Sequence, residues 1–106
     1  MPETWGLDGT AEGVFVHGEL DLAVADSFAE QASEVVLETA GPSVLIDLSG
    51  VTFMDSSGLR ALLRVVGLGD GKTLIIQPSR QVFTLLHLAG LMNGDLSNVE
   101  VLEPQS

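Results

Sequence analysis

The sequence lacks cysteine altogether, contains no tyrosine and only one tryptophan, and carries few positive charges. The absence of cysteine excludes disulfide bonds, thiolate catalysis and cysteine-bound metals. With 4 Lys and Arg against 15 Asp and Glu, the 106-residue chain has a formal net charge of −11. Such a chain repels nucleic acids and anionic membranes, because binding to either requires clustered Lys and Arg. We therefore expect neither as a partner.

Signals for export or membrane insertion are also missing. No hydrophobic run approaches the ~18 residues that a membrane-spanning helix needs. The polar start, Met1-Pro2-Glu3-Thr4, lacks the basic segment and apolar run of a signal peptide. We expect a cytoplasmic protein with one domain over residues 1–106, since a chain with 45% apolar residues can form a core at this length.

The charges that are present are distributed unevenly. Residues 1–53 carry ten of the acidic residues and no Lys or Arg, whereas residues 54–106 hold all four cations. This asymmetry indicates one strongly acidic face on the folded molecule.

Hydrophobic periodicity predicts strands that alternate with helices. Strands are expected over residues 4–7, 13–19, 43–48, 73–77 and 98–102, and helices over about 22–39, 56–67 and 79–89. Ser49-Gly50 is interpreted as a turn, Ser79 as an N-cap, and Gly90 as the glycine that ends the last helix. This order predicts an α/β fold, a small mixed β-sheet with helices packed mainly on one face.

Residues 44–63 (VLIDLSGVTFMDSSGLRALL) contain the strongest candidate for a functional site. An apolar strand leads to Asp55, Ser56 and Ser57 at the amino end of a helix. Unpaired amides and the helix dipole make such an end tolerant of a phosphate group. Gly58 costs helix stability in the first turn and is interpreted as keeping bulk away from a serine hydroxyl. The alternative is that this run of polar residues is only a helix cap.

Helical geometry separates the two serines. The apolar residues of this helix define its expected buried face: Leu59, Leu62, Leu63 and Val66. On this basis Ser57 is expected on the outer side with Arg60 and Arg64, and Ser56 near the buried side as the capping residue. The two arginines can equally be ordinary surface residues.

The segment resembles the signature of STAS domains, in particular bacterial anti-sigma factor antagonists. Gly18-Glu19-Leu20-Asp21 (GELD) resembles an upstream loop of the family, and Leu88–Leu91 (LAGL) a later helix end, so the likeness covers about residues 13–102. In that family the serine before the glycine is phosphorylated by a partner kinase, which is also the anti-sigma factor. The resemblance implies that Ser57 is this serine.

The same resemblance implies a switch between partners. The unphosphorylated antagonist binds the kinase and releases sigma factor, phosphorylation abolishes that binding, and a serine phosphatase restores it. Asp21 and Asp55 match acidic positions near the phosphorylated serine, so the environment of the site is expected to comprise Asp21, Asp55, Ser56 and Gly58. The family usually has a further helix after the last strand. Glu103-Pro104-Gln105-Ser106 leaves no room for it, so that helix is either absent or was cut from the chain.

The first helix carries Asp26, Glu30, Glu34 and Glu38 at intervals of four residues with no cation among them. Like charges at this spacing are mildly destabilising, so the stripe is either a solvated face or a surface that attracts a basic partner. The candidate partner-binding residues share a place on this helix, the GELD loop or the outer side of the serine-bearing helix: Glu19, Asp26, Glu30, Arg60 and Arg64.

Other functions find less support in the sequence. The G-x-S-x-G nucleophile elbow and the phosphate-binding G-x-x-x-x-G-K-[ST] loop are both absent. Phosphorylation of Asp55 would require a paired acidic cluster and a later lysine, and Lys72 is the only lysine. His17 and His87 show no metal-binding spacing. We expect no catalytic residue, metal or cofactor, and a monomer. The alternative is a STAS module that binds a small ligand or serves a larger transporter or lipid-trafficking assembly.

Overall fold

The computed structural model describes residues 4–69, 71–92, 94 and 96–105. Met1–Glu3 belong to the polar start from which we expect no signal peptide, and they lie outside the described residues. The described part contains five strands: β1 (Trp5–Gly9), β2 (Gly13–Leu20), β3 (Ser43–Met54), β4 (Thr73–Pro78) and β5 (Val99–Val101). It also contains three helices: α1 (Ala25–Glu38), α2 (Ser56–Leu68) and α3 (Arg80–Leu88).

The five strands form one mixed sheet in sequence order. β1 pairs antiparallel with β2, and the β2–β3, β3–β4 and β4–β5 pairs are parallel. Each parallel connection passes through one helix. Since such crossovers are right-handed and the strands advance in one direction, all three helices lie on the same face of the sheet. The predicted α/β class, with helices on one face, is confirmed.

Alternating side chains show which face is the core. The even-numbered residues of the central strands are almost completely buried: Val14, Val16, Val44, Ile46, Leu48, Leu74 and Ile76. They meet Phe28, Ala32 and Val36 of α1 and the apolar residues of α2 and α3 in one cluster. Odd-numbered residues such as Phe15, Leu45 and Ile75 point to the opposite face and are only half-buried.

The predicted turn at Ser49-Gly50 is wrong, because β3 runs without interruption from Ser43 to Met54. The register between β2 and β3 shifts twice, between Phe15 and His17 and again between Gly18 and Glu19. Extra residues in β3 therefore form bulges, and the Asp47 carboxylate accepts a hydrogen bond from the Ser49 amide at 2.9 Å. The polar, glycine-containing pair marks a bulge here, because bulges and turns favour the same residue types.

The predicted ends of α3 are confirmed. The Ser79 hydroxyl accepts a hydrogen bond from the Val82 amide at 3.2 Å. At the other end Gly90 has a φ of 75°, its amide donates to the His87 carbonyl, and the Leu91 amide donates to the Leu86 carbonyl. This is a Schellman motif with a left-handed glycine. None of the helices in the described residues is long and apolar enough to cross a membrane.

Candidate functional site

The predicted GELD loop is in fact the end of β2 (residues 18–20) followed by Asp21, and it lies beside the amino end of α2 at the carboxyl edge of the parallel strands. Leu20 at the end of β2 is the register partner of Met54 at the end of β3. The Asp55 amide donates to the Leu20 carbonyl at 3.4 Å. Two segments separated by more than thirty residues in the sequence are thereby brought into contact. The carboxyl edge of parallel strands is the usual position of functional sites in α/β folds.

Asp55 caps α2. One carboxylate oxygen, Oδ1, accepts hydrogen bonds from the Ser57 amide at 2.9 Å and the Gly58 amide at 3.0 Å. The expectation that Ser56 is the cap is wrong, because the carboxylate one residue earlier already reaches both free amides. Neither serine hydroxyl makes a hydrogen bond to another described residue. The helix end is therefore held without using the hydroxyl groups.

Gly58 has a packing role that differs from the one inferred from the sequence. A Cβ atom at this position would lie 2.9 Å from Met54 Cγ and closer still to the Leu20 carbonyl oxygen. Gly58 is buried between α2 and the end of β2. The missing side chain therefore allows α2 to approach the sheet, and access to the neighbouring serine hydroxyl does not depend on it.

The buried face of α2 differs from the predicted one by about one residue, or ~100° of rotation. Its buried residues are Gly58, Ala61, Leu62, Val65 and Val66, whereas Leu59 and Leu63 are half-buried. This rotation places Ser56 on the exposed side and Ser57, which is half-buried, on the flank. The predicted order of exposure of the two serines is therefore wrong. Arg60 and Arg64 are exposed, as expected.

Asp21 and Glu19 of the GELD loop each make a hydrogen bond that holds the backbone at this edge, Asp21 through its carboxylate and Glu19 through its amide. The Asp21 carboxylate accepts a hydrogen bond from the Ala23 amide at 3.0 Å and starts the turn that leads into α1. Residues 22–24 belong to that turn, so α1 begins three residues later than predicted. Glu19 is exposed, and its amide donates to the Thr4 carbonyl at 2.8 Å.

Two of the candidate partner-binding residues contact each other. Arg64 Nη1 on α2 lies 2.9 Å from Asp26 Oδ1 on α1, with side-chain exposures of 55% and 95%. An ion pair this exposed contributes at most about 1 kcal/mol. The acidic stripe of α1 therefore has one cation beside it, from the neighbouring helix. Glu30 and Arg60 are exposed and make no ion pair with a described residue.

Residues of α3 also reach this edge, which the sequence interpretation missed. Gln81 Nε2 donates to the Met54 carbonyl at 3.3 Å, directly before the α2 cap. Leu22 and Phe53, at this edge, and Leu88, at the far end of α3, are large apolar side chains left exposed. The sequence does contain a signal for this face of α3, because Gln81, Thr84, Leu85 and Leu88 recur at helical spacing. They lie on a different side of the helix from its buried residues, Val82 and Leu86.

The arrangement suits recognition by another molecule. Within the described residues, no group of three or more His, Asp or Glu side chains could hold a metal ion. The site offers two serine hydroxyls, a fixed carboxylate, exposed charges and exposed apolar side chains at one edge. Through the backbone contacts of Leu20, the structure places Asp21 in the segment next to Asp55, Ser56, Ser57 and Gly58.

Comparison with known proteins finds a matching family and similar structures over most of the chain. The family model for the STAS domain matches residues 10–99. The crystal structure of an anti-sigma factor antagonist from Mycobacterium paratuberculosis covers 83% of this chain and 78% of its own, with a TM-score of 0.63. The sequence identity of this match is 29%. The structure of the anti-sigma factor antagonist SpoIIAA in its unphosphorylated form covers 95% of this chain and 89% of its own, with a TM-score of 0.62. Its sequence is 19% identical, so this match shows similarity of fold. Comparison with curated protein sequences finds no match.

Proposed function

The chain belongs to the STAS domain family, and we propose that it acts as an anti-sigma factor antagonist controlled by phosphorylation of Ser57. Unphosphorylated protein binds an anti-sigma factor that is also a serine kinase, and so releases sigma factor. Phosphorylation ends the binding, and a serine phosphatase restores it. The observation that carries this proposal is the capped amino end of α2, where a serine hydroxyl without a hydrogen-bond partner among the described residues adjoins the GELD loop.

The position of Asp55 makes the proposed switch electrostatic. Its carboxylate occupies the amides of Ser57 and Gly58. A phosphate on Ser57 would add about −1.5 to −2 charge two residues from this carboxylate. Because these two amides already have an acceptor, they do not compensate the new charge.

The same geometry would allow phosphorylation of Ser57 to change the charge of the surface without changing the fold. The helix end is held by Asp55, and the contact with β2 is made by Gly58 and the Leu20 carbonyl. Neither depends on a serine hydroxyl. A dianion can therefore replace the hydroxyl while α2 keeps its place, and a helix amino end tolerates negative charge.

The loss of binding follows from burying this charge. An interface formed over a neutral hydroxyl would have to desolvate a dianion, at a cost of several kcal/mol where the partner offers no compensating cation. Since each 1.4 kcal/mol is a factor of ten in affinity, we expect at least about a hundredfold weaker binding. The exposed residues Glu19, Glu30 and Arg60 and the Asp26–Arg64 pair are the charged groups that we assign to the surrounding contact surface.

The site assignment is tested by incubation of the protein with its cognate anti-sigma factor kinase and ATP, followed by mass spectrometry of the peptide that contains residues 56–60. We expect one phosphate, on Ser57. The Ser57→Ala protein should accept none, and the matched Ser56→Ala protein should be phosphorylated at a rate within about threefold of the wild type. Phosphate on Ser56, or on neither serine, would contradict the assignment. The second of these results would favour the alternative of a module in a larger assembly.

A further inference from the structure

Helix α3 has a second face of mixed polarity beside its buried one, on which Leu88 is exposed and Leu85 is half-buried. Val82 and Leu86 face the core, whereas residues of the second face line a shallow depression of about 430 Å³: Arg80, Gln81, Thr84, Leu85 and Leu88. The side chain of Leu88 is 77% exposed. Leu85 packs at the margin of the core, whereas packing in the core does not account for Leu88.

One end of this depression adjoins the proposed switch. Gln81 lines one end of it, and Gln81 Nε2 donates to the Met54 carbonyl at 3.3 Å. Met54 immediately precedes Asp55, the cap of α2. A protein docked over Ser57 therefore meets the Gln81 end of α3 first, and the second face of α3 extends the same surface toward Leu88.

The charge of this region sets it apart from the rest of the molecule. Residues 71–94 contain no Asp or Glu, although the whole chain has a formal charge of −11. Of the cations in this stretch, Lys72 is bound to the carboxyl end of α1. Arg80 is exposed and forms no ion pair with a described residue. The depression thus combines aliphatic side chains with one free cation, which fits an apolar surface that carries a carboxylate.

We propose that this face of α3 is the part of the docking surface that provides affinity for the anti-sigma factor. The partner packs aliphatic side chains against Leu85 and Leu88 and places a carboxylate near Arg80. Phosphorylation of Ser57 then opposes formation of the complex, whereas the α3 surface itself is the same in both forms of the protein. This inference rests on the proposed function, because its partner is the anti-sigma factor that recognises Ser57.

The test is calorimetric titration of the cognate anti-sigma factor kinase with unphosphorylated protein. Leu88→Ser should weaken binding at least about tenfold, because it removes apolar contact area from the interface. Arg80→Gln should weaken binding and reduce its dependence on salt concentration. The matched control is Leu37→Ser on α1, a leucine that is 62% exposed and lies away from α3, and it should leave the affinity within about twofold of the wild type.

Thermal unfolding checks that the three variants, all at exposed positions, remain folded. The inference is overturned if Leu88→Ser binds like the wild type, or if Leu37→Ser loses as much affinity as Leu88→Ser. It is also overturned if Leu88→Ser abolishes self-association in sedimentation while kinase binding persists, since the face then belongs to a second copy. A wild-type protein that binds no kinase contradicts the proposed function itself, and the inference fails with it.

Discussion

At the scale of single residues, Gly58 determines how closely α2 approaches the sheet. The atoms that a side chain would meet are the carbonyl oxygen of Leu20 and the Cγ of Met54, and the first is backbone that cannot rotate away. This contact holds the serine-bearing helix end beside the GELD loop. A small residue is thus a requirement of the site's geometry even though it carries no chemistry.

Replacing glycine by alanine at two positions of α2 separates packing from helix propensity. Gly58→Ala should lower the free energy of unfolding by about 1–3 kcal/mol, because the added methyl group overpacks the contact with Leu20. Gly67→Ala should raise it by about 0.5–1 kcal/mol, because alanine favours helix and a Cβ atom there meets nothing within 4 Å. Urea denaturation measures both, and a Gly58→Ala protein as stable as Gly67→Ala would contradict the close contact.

The types of residue at the site could be predicted from the sequence, but their division of roles could not. Asp55, Ser56 and Ser57 are all good capping residues, and only the backbone geometry shows that Asp55 reaches the amides. The Asp26–Arg64 pair joins residues 38 positions apart, so no local pattern reveals it. Such pairings depend on how two helices pack.

At the scale of elements, α1 ends without a basic residue of its own in the last turn. Lys72, which precedes β4, supplies the charge: its Nζ donates to the Val36 carbonyl at 2.9 Å and to the Thr39 carbonyl. These contacts satisfy carbonyls that a helix end leaves unpaired and place a cation at the negative end of the dipole. The lysine thereby ties the end of α1 to the start of β4.

Removing this ammonium group should destabilise the protein. Lys72→Met keeps the aliphatic chain and should lower the free energy of unfolding by about 1–2 kcal/mol, because buried carbonyls lose a charged donor. Arg60→Met, at an exposed position on α2, serves as the control and should change it by less than about 0.5 kcal/mol. Equal values for the two variants in urea denaturation would show that Lys72 contributes no more than a surface cation.

Some element boundaries were predictable because local residues determine them. The Ser79 cap and the Gly90 Schellman motif of α3 involve residues within five positions of each other, and both predictions are confirmed. The bulges of β3 and the rotated buried face of α2 depend on pairing with β2 and on contact with Leu20. Those contacts are distant in sequence, so residue types alone placed a turn at Ser49-Gly50, and periodicity alone placed the half-buried Leu59 and Leu63 in the core.

At the scale of the whole molecule, the charge asymmetry follows the architecture. The acidic half of the sequence forms β1, β2, α1 and most of β3, and the cations begin on α2 just beyond Ser57. The acid-free stretch from residue 71 to 94 forms β4 and α3. Ser57 therefore lies where an acidic region meets a weakly cationic one, and a partner that spans the carboxyl edge contacts both. A phosphate on Ser57 would therefore change the charge at one point of a large contact surface and leave the rest of that surface unchanged.

The most direct test of the switch compares the affinity of the cognate anti-sigma factor kinase for the two forms of the protein. The phosphorylated form is prepared with the kinase and ATP, verified by mass spectrometry, and titrated beside the unphosphorylated form. We predict a dissociation constant at least about a hundredfold higher for the phosphorylated form, with amide NMR shifts unchanged beyond the GELD loop and the start of α2. Dissociation constants within about twofold of each other would contradict the account.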